Sequence, residues 1–402
     1  MSDDTSKRLS LDHMFVHASF QLLAGVVYGF GIYSLLERGY NSAEAGICLS
    51  LTNVINLCIS PVVSNYLDNS KKHSIFESTI LFSAVVLLLF VINYFLSTRS
   101  LFLSILFVAC NGIYSSMEPQ VNAYSSTFKS NGINIEFSGA RALGSLSYAL
   151  VCAVFGVLSV KYTYRSVLLG GIFFSALFLL STIKIRKNYY EVRPGQEVIE
   201  DYKGISFKEF VINNKLFMVL CLFLAGLFVG YTSIDNFMIL IAENVGGSSD
   251  DMGGILAFKA VLEALAIFAF PFLLKRFRLK SLLLFSSLGF VLKALATLLA
   301  TNVLALYASQ IFQTISFALV FPGMVEYIQQ KMDQKEAVRG NAFFALTIGV
   351  GSIISSFFCG IISYSYGTIG LLLFALFVSV VSCIGFCITL VKMFNKNEKV
   401  SV

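Results

Sequence analysis

The chain has 402 residues, a formal net charge of +6, 56% hydrophobic and 13% charged positions, and a mean hydropathy of +0.78. That balance excludes a water-soluble domain: a spanning helix takes about 20 apolar residues, and about twelve such runs fill most of the length. In such a chain a basic excess reports topology first, so no nucleic-acid partner is inferred from it.

The amino-terminal stretch MSDDTSKRLSLDHM is polar and lacks a cleavage signal, so the first span is expected to serve for insertion. Spans are predicted at 12–36, 43–66, 75–97, 100–126, 137–159 and 166–184, then at 215–241, 252–274, 281–300, 303–328, 338–364 and 368–391. The one long polar segment, 185–214, holds Pro194 and Gly195 and separates a first six-helix bundle, 1–184, from a second, 215–402. Basic residues gather at Lys71 and Lys72, between Lys184 and Lys215, from Lys275 to Lys280, at Lys331, Lys335 and Arg339, and at Lys392, Lys396 and Lys399. The alternate loops carry few: Arg38, Arg99, Lys161 and Arg165. This asymmetry predicts a multi-pass protein of the plasma or inner membrane with both termini in the cytoplasm.

Four of the five prolines form matched pairs: Pro61 closes the second predicted span and Pro271 the eighth, while Pro119 interrupts the fourth and Pro322 the tenth. The segment GARALGSLSYALVCAVFG is echoed by GNAFFALTIGVGSIISSFFCG. Both patterns indicate an internal duplication of six spans, hence an all-α protein of twelve transmembrane helices in two pseudo-symmetric six-helix bundles. Proline within a span removes a backbone hydrogen bond and bends the helix. The small residues Gly144, Ser145 and Ser147, against Gly351, Ser352 and Ser355, let neighbouring helices approach closely.

Ionisable side chains at membrane depth cost roughly 2.5–3.5 kcal/mol each on insertion scales, and so face a bundle interior or a watery cavity and are paired. Here they are Glu118, Arg141, Asp235, Lys259, Glu263, Lys293 and Glu326. Acids and bases nearly balance, which predicts an interior network. Lys259 and Glu263, four apart, have the spacing of a local pair; Lys293 from the ninth span could also approach Glu263. Asp235 and Glu263 are the candidate proton carriers, the competing reading being a static bridge between helices. Arg141 offers a forked donor for hydroxyl, carboxylate or phosphate oxygens, with Glu118 as its pairing acid. Tyr148 lies two turns beyond, as solute platform or as core. Asn122, Asn111, Gln310 and Gln313 are neutral hydrogen-bonders at site depth, and His17 is the histidine inside a span. The eight cysteines show no metal-ligand spacing, and no cofactor is expected.

Twelve spans, a duplicated half and a charged linker resemble the major facilitator superfamily of secondary transporters. The stretch Ser64-Asn-Tyr-Leu-Asp68-Asn-Ser-Lys71-Lys72 matches the superfamily signature after the second span except at its leading glycine. Within the superfamily, EFSGARALGSLSYAL resembles the fifth span of the oligosaccharide and proton symporters, the lactose permease group. The resemblance puts Arg141 on that group's sugar-binding arginine and Tyr148 on its stacking tryptophan. The stretches AVLEALAIFAFPFLLKRFRLKSLLL and SQIFQTISFALVFPGMVEYI are similar to the phenylpropionate permease-like branch, in which Glu263 matches a glutamate.

The departures from that group are specific. Its fourth- and eighth-span glutamates align with Asn122 and Ala260, and acids stand one helical turn away at Glu118 and Glu263. Its proton-relay histidine and glutamate align with Gln313 and Ser316. Its aspartate–lysine pair aligns with Thr232 and Ile348, so both charges are absent together. Asp235 matches a family aspartate whose lysine partner is here Gln310, and Lys293 stands where the group has arginine. Lactose itself is therefore not the implied solute.

The resemblance implies alternating access and a monomeric carrier coupled to protons, taking up a small polar organic solute such as a sugar or glycoside, a nucleoside or an aromatic acid. Arg141, Glu118, Asn122, Tyr148 and Gln313 would bind solute; Asp235, Glu263 and Lys293 would couple protons. The alternative is proton-driven efflux of drugs or metabolites. No nucleophile with a base, phosphate-cradling loop or metal cluster points to an enzyme.

Overall fold

The computed structural model describes residues 3–69, 74–130, 133, 135, 137–192 and 207–398. Every regular element among them is helical. In chain order these are α1 (Asp3–Ala24), a π-helical turn (Gly25–Gly29), α2 (Gly31–Leu36), α3 (Ser42–Asn69), α4 (Ile75–Phe95), α5 (Leu101–Ser116), α6 (Glu118–Ser130) and α7 (Phe137–Val192). There follow α8 (Phe207–Asn213), α9 (Lys215–Asn236), α10 (Met238–Asn244), α11 (Ser249–Arg276), α12 (Leu279–Leu298), α13 (Val303–Ser309), a 3₁₀ turn (Gln310–Thr314), α14 (Phe317–Lys331) and α15 (Gln334–Glu398). Nine helical stretches among the described residues are long and apolar enough to cross a membrane.

Two of those stretches are double. A non-helical residue, Thr163 in α7 and Gly367 in α15, breaks each into two membrane-length segments. Together with the broken run α1–α2, this gives the twelve expected spans, in a chain that divides into two compact units, Met1–Glu200 and Asp201–Val402. Pro194 and Gly195, the basic pair Lys71 and Lys72, and the side chain of Asp68 lie outside the described residues. Of the segment expected to link the halves, the part up to Val192 continues α7 and Phe207–Asn213 forms α8.

The internal repeat is visible in how each unit packs. A Cβ on Gly144 of α7 would come within 2.9 Å of Gln21 on α1, and one on Gly351 of α15 within 2.7 Å of Phe228 on α9. Absence of a side chain at these two equivalent positions lets the first helix of each unit lie against its fifth-span partner. The buried core of the second unit, including Phe217, Leu224, Phe228, Phe290, Met324 and Phe386, closes around that contact.

The prolines behave differently from the sequence expectation. Pro61 and Pro271 lie inside α3 and α11 rather than at their ends, because the helices run on to Asn69 and Arg276. Pro119 does accompany a break, at Met117 between α5 and α6. In the tenth span the irregularity lies upstream of Pro322, in the 3₁₀ turn and at Ser316.

Thr163 has φ 55° and ψ −162°, whereas its counterpart Gly367 has φ 69° and ψ −175°. That backbone region is open almost only to glycine and costs other residues about 1–3 kcal/mol. Thr163→Gly is therefore expected to raise the melting temperature of the purified protein, and Gly367→Thr to lower it. A lower melting point for Thr163→Gly would show that the threonine carries no such strain.

Candidate functional site

Three helices and the 3₁₀ turn of the second unit converge on one polar cluster. On α9, Tyr231 and Asp235 are four apart and share a face; on α11, Lys259 and Glu263 do the same. Lys293 projects from α12, and Gln313 from the 3₁₀ turn. Tightening of the chain at Gln310–Thr314 and the break at Ser316 place Gln313, which is fully buried, among them.

The cluster is bonded throughout. Lys259 Nζ lies 2.6 Å from Asp235 Oδ2 and Lys293 Nζ 3.1 Å from Asp235 Oδ1. Lys293 also donates to Gln313 Oε1 at 2.8 Å. The other end of that amide donates to Glu263 Oε2 at 2.8 Å and to the Tyr231 hydroxyl at 3.2 Å. The Tyr231 ring lies 4.5 Å from Lys293 Nζ and 5.7 Å from Lys259 Nζ, within cation–π reach of both. Lys293 is 1% exposed, so its charge must be answered inside the protein. Two ammonium groups face two carboxylates, and the ionised set is formally neutral.

This geometry corrects the sequence pairings. Asp235 is not short of a lysine: it holds two, from α11 and α12. Lys259 and Lys293 both form ion pairs with Asp235 on α9 and lie over the Tyr231 ring, while the charges of both lysines also act on Glu263. Glu263 accepts a hydrogen bond from the neutral Gln313, which was expected among the solute contacts and which here bonds two of the residues expected to couple protons, Glu263 and Lys293. Tyr231 was missed, although its position four residues before Asp235 on an otherwise apolar helix was a usable sign.

In the first unit, Glu118 opens α6 immediately after the break at Met117, and Arg141 stands in the second turn of α7; both are half-buried. Their charges act on one another, and Arg141 also acts on His17 of α1. The π-helical turn carries Tyr28, whose hydroxyl donates to Ser115 Oγ at 3.0 Å beside Glu118. Asn122 lies one turn beyond Glu118 on α6, and Tyr148 two turns beyond Arg141 on α7; both are half-buried. Tyr28 was not singled out by sequence, because a bulged helix shifts the register on which periodicity relies.

Arg38, placed in an outer loop by sequence, is 4% exposed. It donates to Asn93 Oδ1 at 2.6 Å, and its guanidinium lies 4.8 Å from the Tyr164 ring. His13 and His17 are both buried, with ring centroids 4.7 Å apart. Among the described residues no group of His, Cys, Asp and Glu side chains has the geometry to hold a metal.

Known proteins share this architecture. A single-site mutant of the nucleoside transporter NupG superposes with a TM-score of 0.81 at 15% identity, covering 95% of this chain and 99% of that one. A bacterial homologue of the iron transporter ferroportin, in an inward-facing state, gives 0.72 at 14% identity, covering 97% and 100%. A single-site mutant of the peptide transporter POT gives 0.75 at 10%, covering 96% and 94%. No curated protein matches the chain in sequence. The family model that does match, over residues 13–386, is that of the MFS_1 like family. The chain therefore belongs to the MFS_1 like family, and is a multi-pass membrane transporter of the major facilitator type rather than an enzyme.

Proposed function

We propose that this transporter is a proton-driven symporter taking up a small polar organic solute by alternating access, with Glu263 as the group that gains and loses the proton. The supporting observation is the division of labour between the two half-buried acids of the second unit's polar cluster. Asp235 is bonded to two ammonium groups, so neutralising it would leave both cations without their carboxylate. Glu263 is held by the amide of Gln313, and its neutral form keeps a carbonyl oxygen for that same bond. Protonation of Glu263 changes the charge of a buried set by one unit, enough to favour one conformation over another in a low-dielectric surrounding. Arg141, Glu118, Asn122 and Tyr148 are the proposed solute contacts, and the forked guanidinium of Arg141 supplies the oriented donors.

Sugars or glycosides, nucleosides and aromatic acids are the candidate solutes. NupG, which shares the fold, is a nucleoside transporter, and nucleosides accordingly come first in the panel to be tested. The test is reconstitution into liposomes with labelled solutes, with and without an inward proton gradient. Uptake of one class above its equilibrium level, driven by the gradient, supports the reading. Arg141→Ala is expected to reduce that uptake to the level of empty liposomes. Extrusion of solute against proton entry would favour the efflux alternative instead.

A further inference from the structure

The second unit holds an open groove lined by none of the polar-cluster side chains. The groove, of about 770 Å³, runs between α11, α12 and the start of α14, lined by Leu265, Ala269, Leu273, Phe277, Phe285 and Leu319 among others. The volume lies within the range of small-molecule clefts, roughly 300–1,000 Å³. Its lining is almost wholly apolar, and Leu265, Phe277 and Phe285 are exposed. Along α11 it extends from Leu262 to Phe277, about 22 Å at the helical rise of 1.5 Å per residue. A hydrocarbon core is about 30 Å thick, so the groove covers the depth of one leaflet and continues past its middle. Its length and apolar lining suit an alkyl chain rather than a polar solute.

The groove ends at a cluster of positive charge. Phe277, which lines its mouth, is flanked by Lys275 and Arg276 at the end of α11 and by Arg278 and Lys280 at the start of α12. Lys275, Arg276 and Arg278 are exposed, and none of the four makes an ion pair among the described residues. Lys280 donates to Asn395 Oδ1 at 3.2 Å, a neutral partner. Lys275 and Arg276 sit at the carbonyl end of α11, which they complement. Arg278 and Lys280 sit at the amide end of the next helix, whose first turn contains no acid to balance them. Basic clusters of this kind at the end of a transmembrane helix attract anionic lipid headgroups.

We propose that this groove is a binding site for an anionic phospholipid, with one acyl chain along α11 from Phe277 to Leu262 and the phosphate at Lys275, Arg276 and Arg278. The site depends on the chain spanning a bilayer and is independent of the solute and the coupling ion. Its inner end is at Leu262 and Thr314, each next in sequence to a residue of the polar cluster, Glu263 and Gln313.

The experiment is a lipid titration of the full-length protein, stripped of lipid in mild detergent and read by native mass spectrometry, with phosphatidylglycerol and phosphatidylcholine of identical chains. Phosphatidylglycerol is expected to fill its first site at least about tenfold more tightly, since each basic residue near an anionic headgroup is worth roughly fivefold. The triple variant Lys275→Gln, Arg276→Gln, Arg278→Gln should bring the two lipids to within about twofold. Ala269→Phe, which fills the groove, should weaken both lipids together, and Ala269→Leu should do so to a smaller extent. The proposal is overturned by equal affinities in the unmodified protein, or by a triple variant of unchanged melting temperature that keeps its preference. It is equally overturned if the groove is covered by a second copy, seen as a dimer that lipid does not compete apart.

Discussion

Asp235→Asn is expected to destabilise the protein by about 3–5 kcal/mol, the usual consequence of removing one partner from a buried ion pair. Two lysines depend on this carboxylate, at 2.6 and 3.1 Å, and asparagine answers neither charge. The loss should appear as a lower melting temperature in detergent and a smaller yield of monodisperse protein. The compensating change follows from the charge count. Asp235→Asn leaves the cluster at +1, and Lys259→Met added to it restores neutrality, with Lys293 retained by Gln313 and close to Glu263. The double variant should therefore be more stable than the single one. A single variant as stable as the parent would mean that the cluster tolerates an unanswered cation and that Asp235 is no anchor. That result would also remove the contrast on which the assignment of the proton to Glu263 rests.

The architecture was legible in the sequence because a bilayer imposes a length on every span. Twelve apolar runs, matched prolines and the Gly144–Gly351 echo were sufficient to give the duplication. The charged residues were legible for the same reason, since an ion at membrane depth is conspicuous against an apolar background. What the sequence could not supply was which charge meets which. The spacing of Lys259 and Glu263 on one helix suggested a local pair, but a lysine side chain is long enough to reach the next helix, and the carboxylate and ring on α9 drew it there. Gln313 was visible as a hydrogen-bonder at site depth, but its partners were not, because its position depends on a 3₁₀ turn that moves it off the face a regular helix would give it. Tyr28 was displaced in the same way by the π-helical turn. Arg38 was read as a loop residue because it follows an apolar run, and only the contact with Asn93 and Tyr164 reveals it as buried.

Within the proposed coupling scheme, Glu263→Gln is expected to abolish solute accumulation while leaving solute exchange intact. Glutamine has the shape of the protonated acid, and its amide oxygen can accept the same bond from Gln313 that Glu263 accepts at 2.8 Å. Loss of the carboxylate charge also leaves the cluster at +1, but Asp235 keeps both of its lysines, so the fold should survive where Asp235→Asn weakens it. In liposomes under an inward gradient of one pH unit, a carrier moving one proton per solute can concentrate the solute about tenfold, whereas the variant should equilibrate it at a ratio of about one. Gln313→Leu tests the connection rather than the acid. It removes a side chain bonded to both Glu263 and Lys293, and should reduce accumulation and exchange together, because a half-buried carboxylate and a buried ammonium then each lose a partner. Accumulation by Glu263→Gln at the parental level would place the proton elsewhere, whereas failure of exchange with an unchanged melting temperature would make Glu263 a solute contact. The two variants therefore separate an acid that carries charge through the cycle from an amide that holds the charged groups in place.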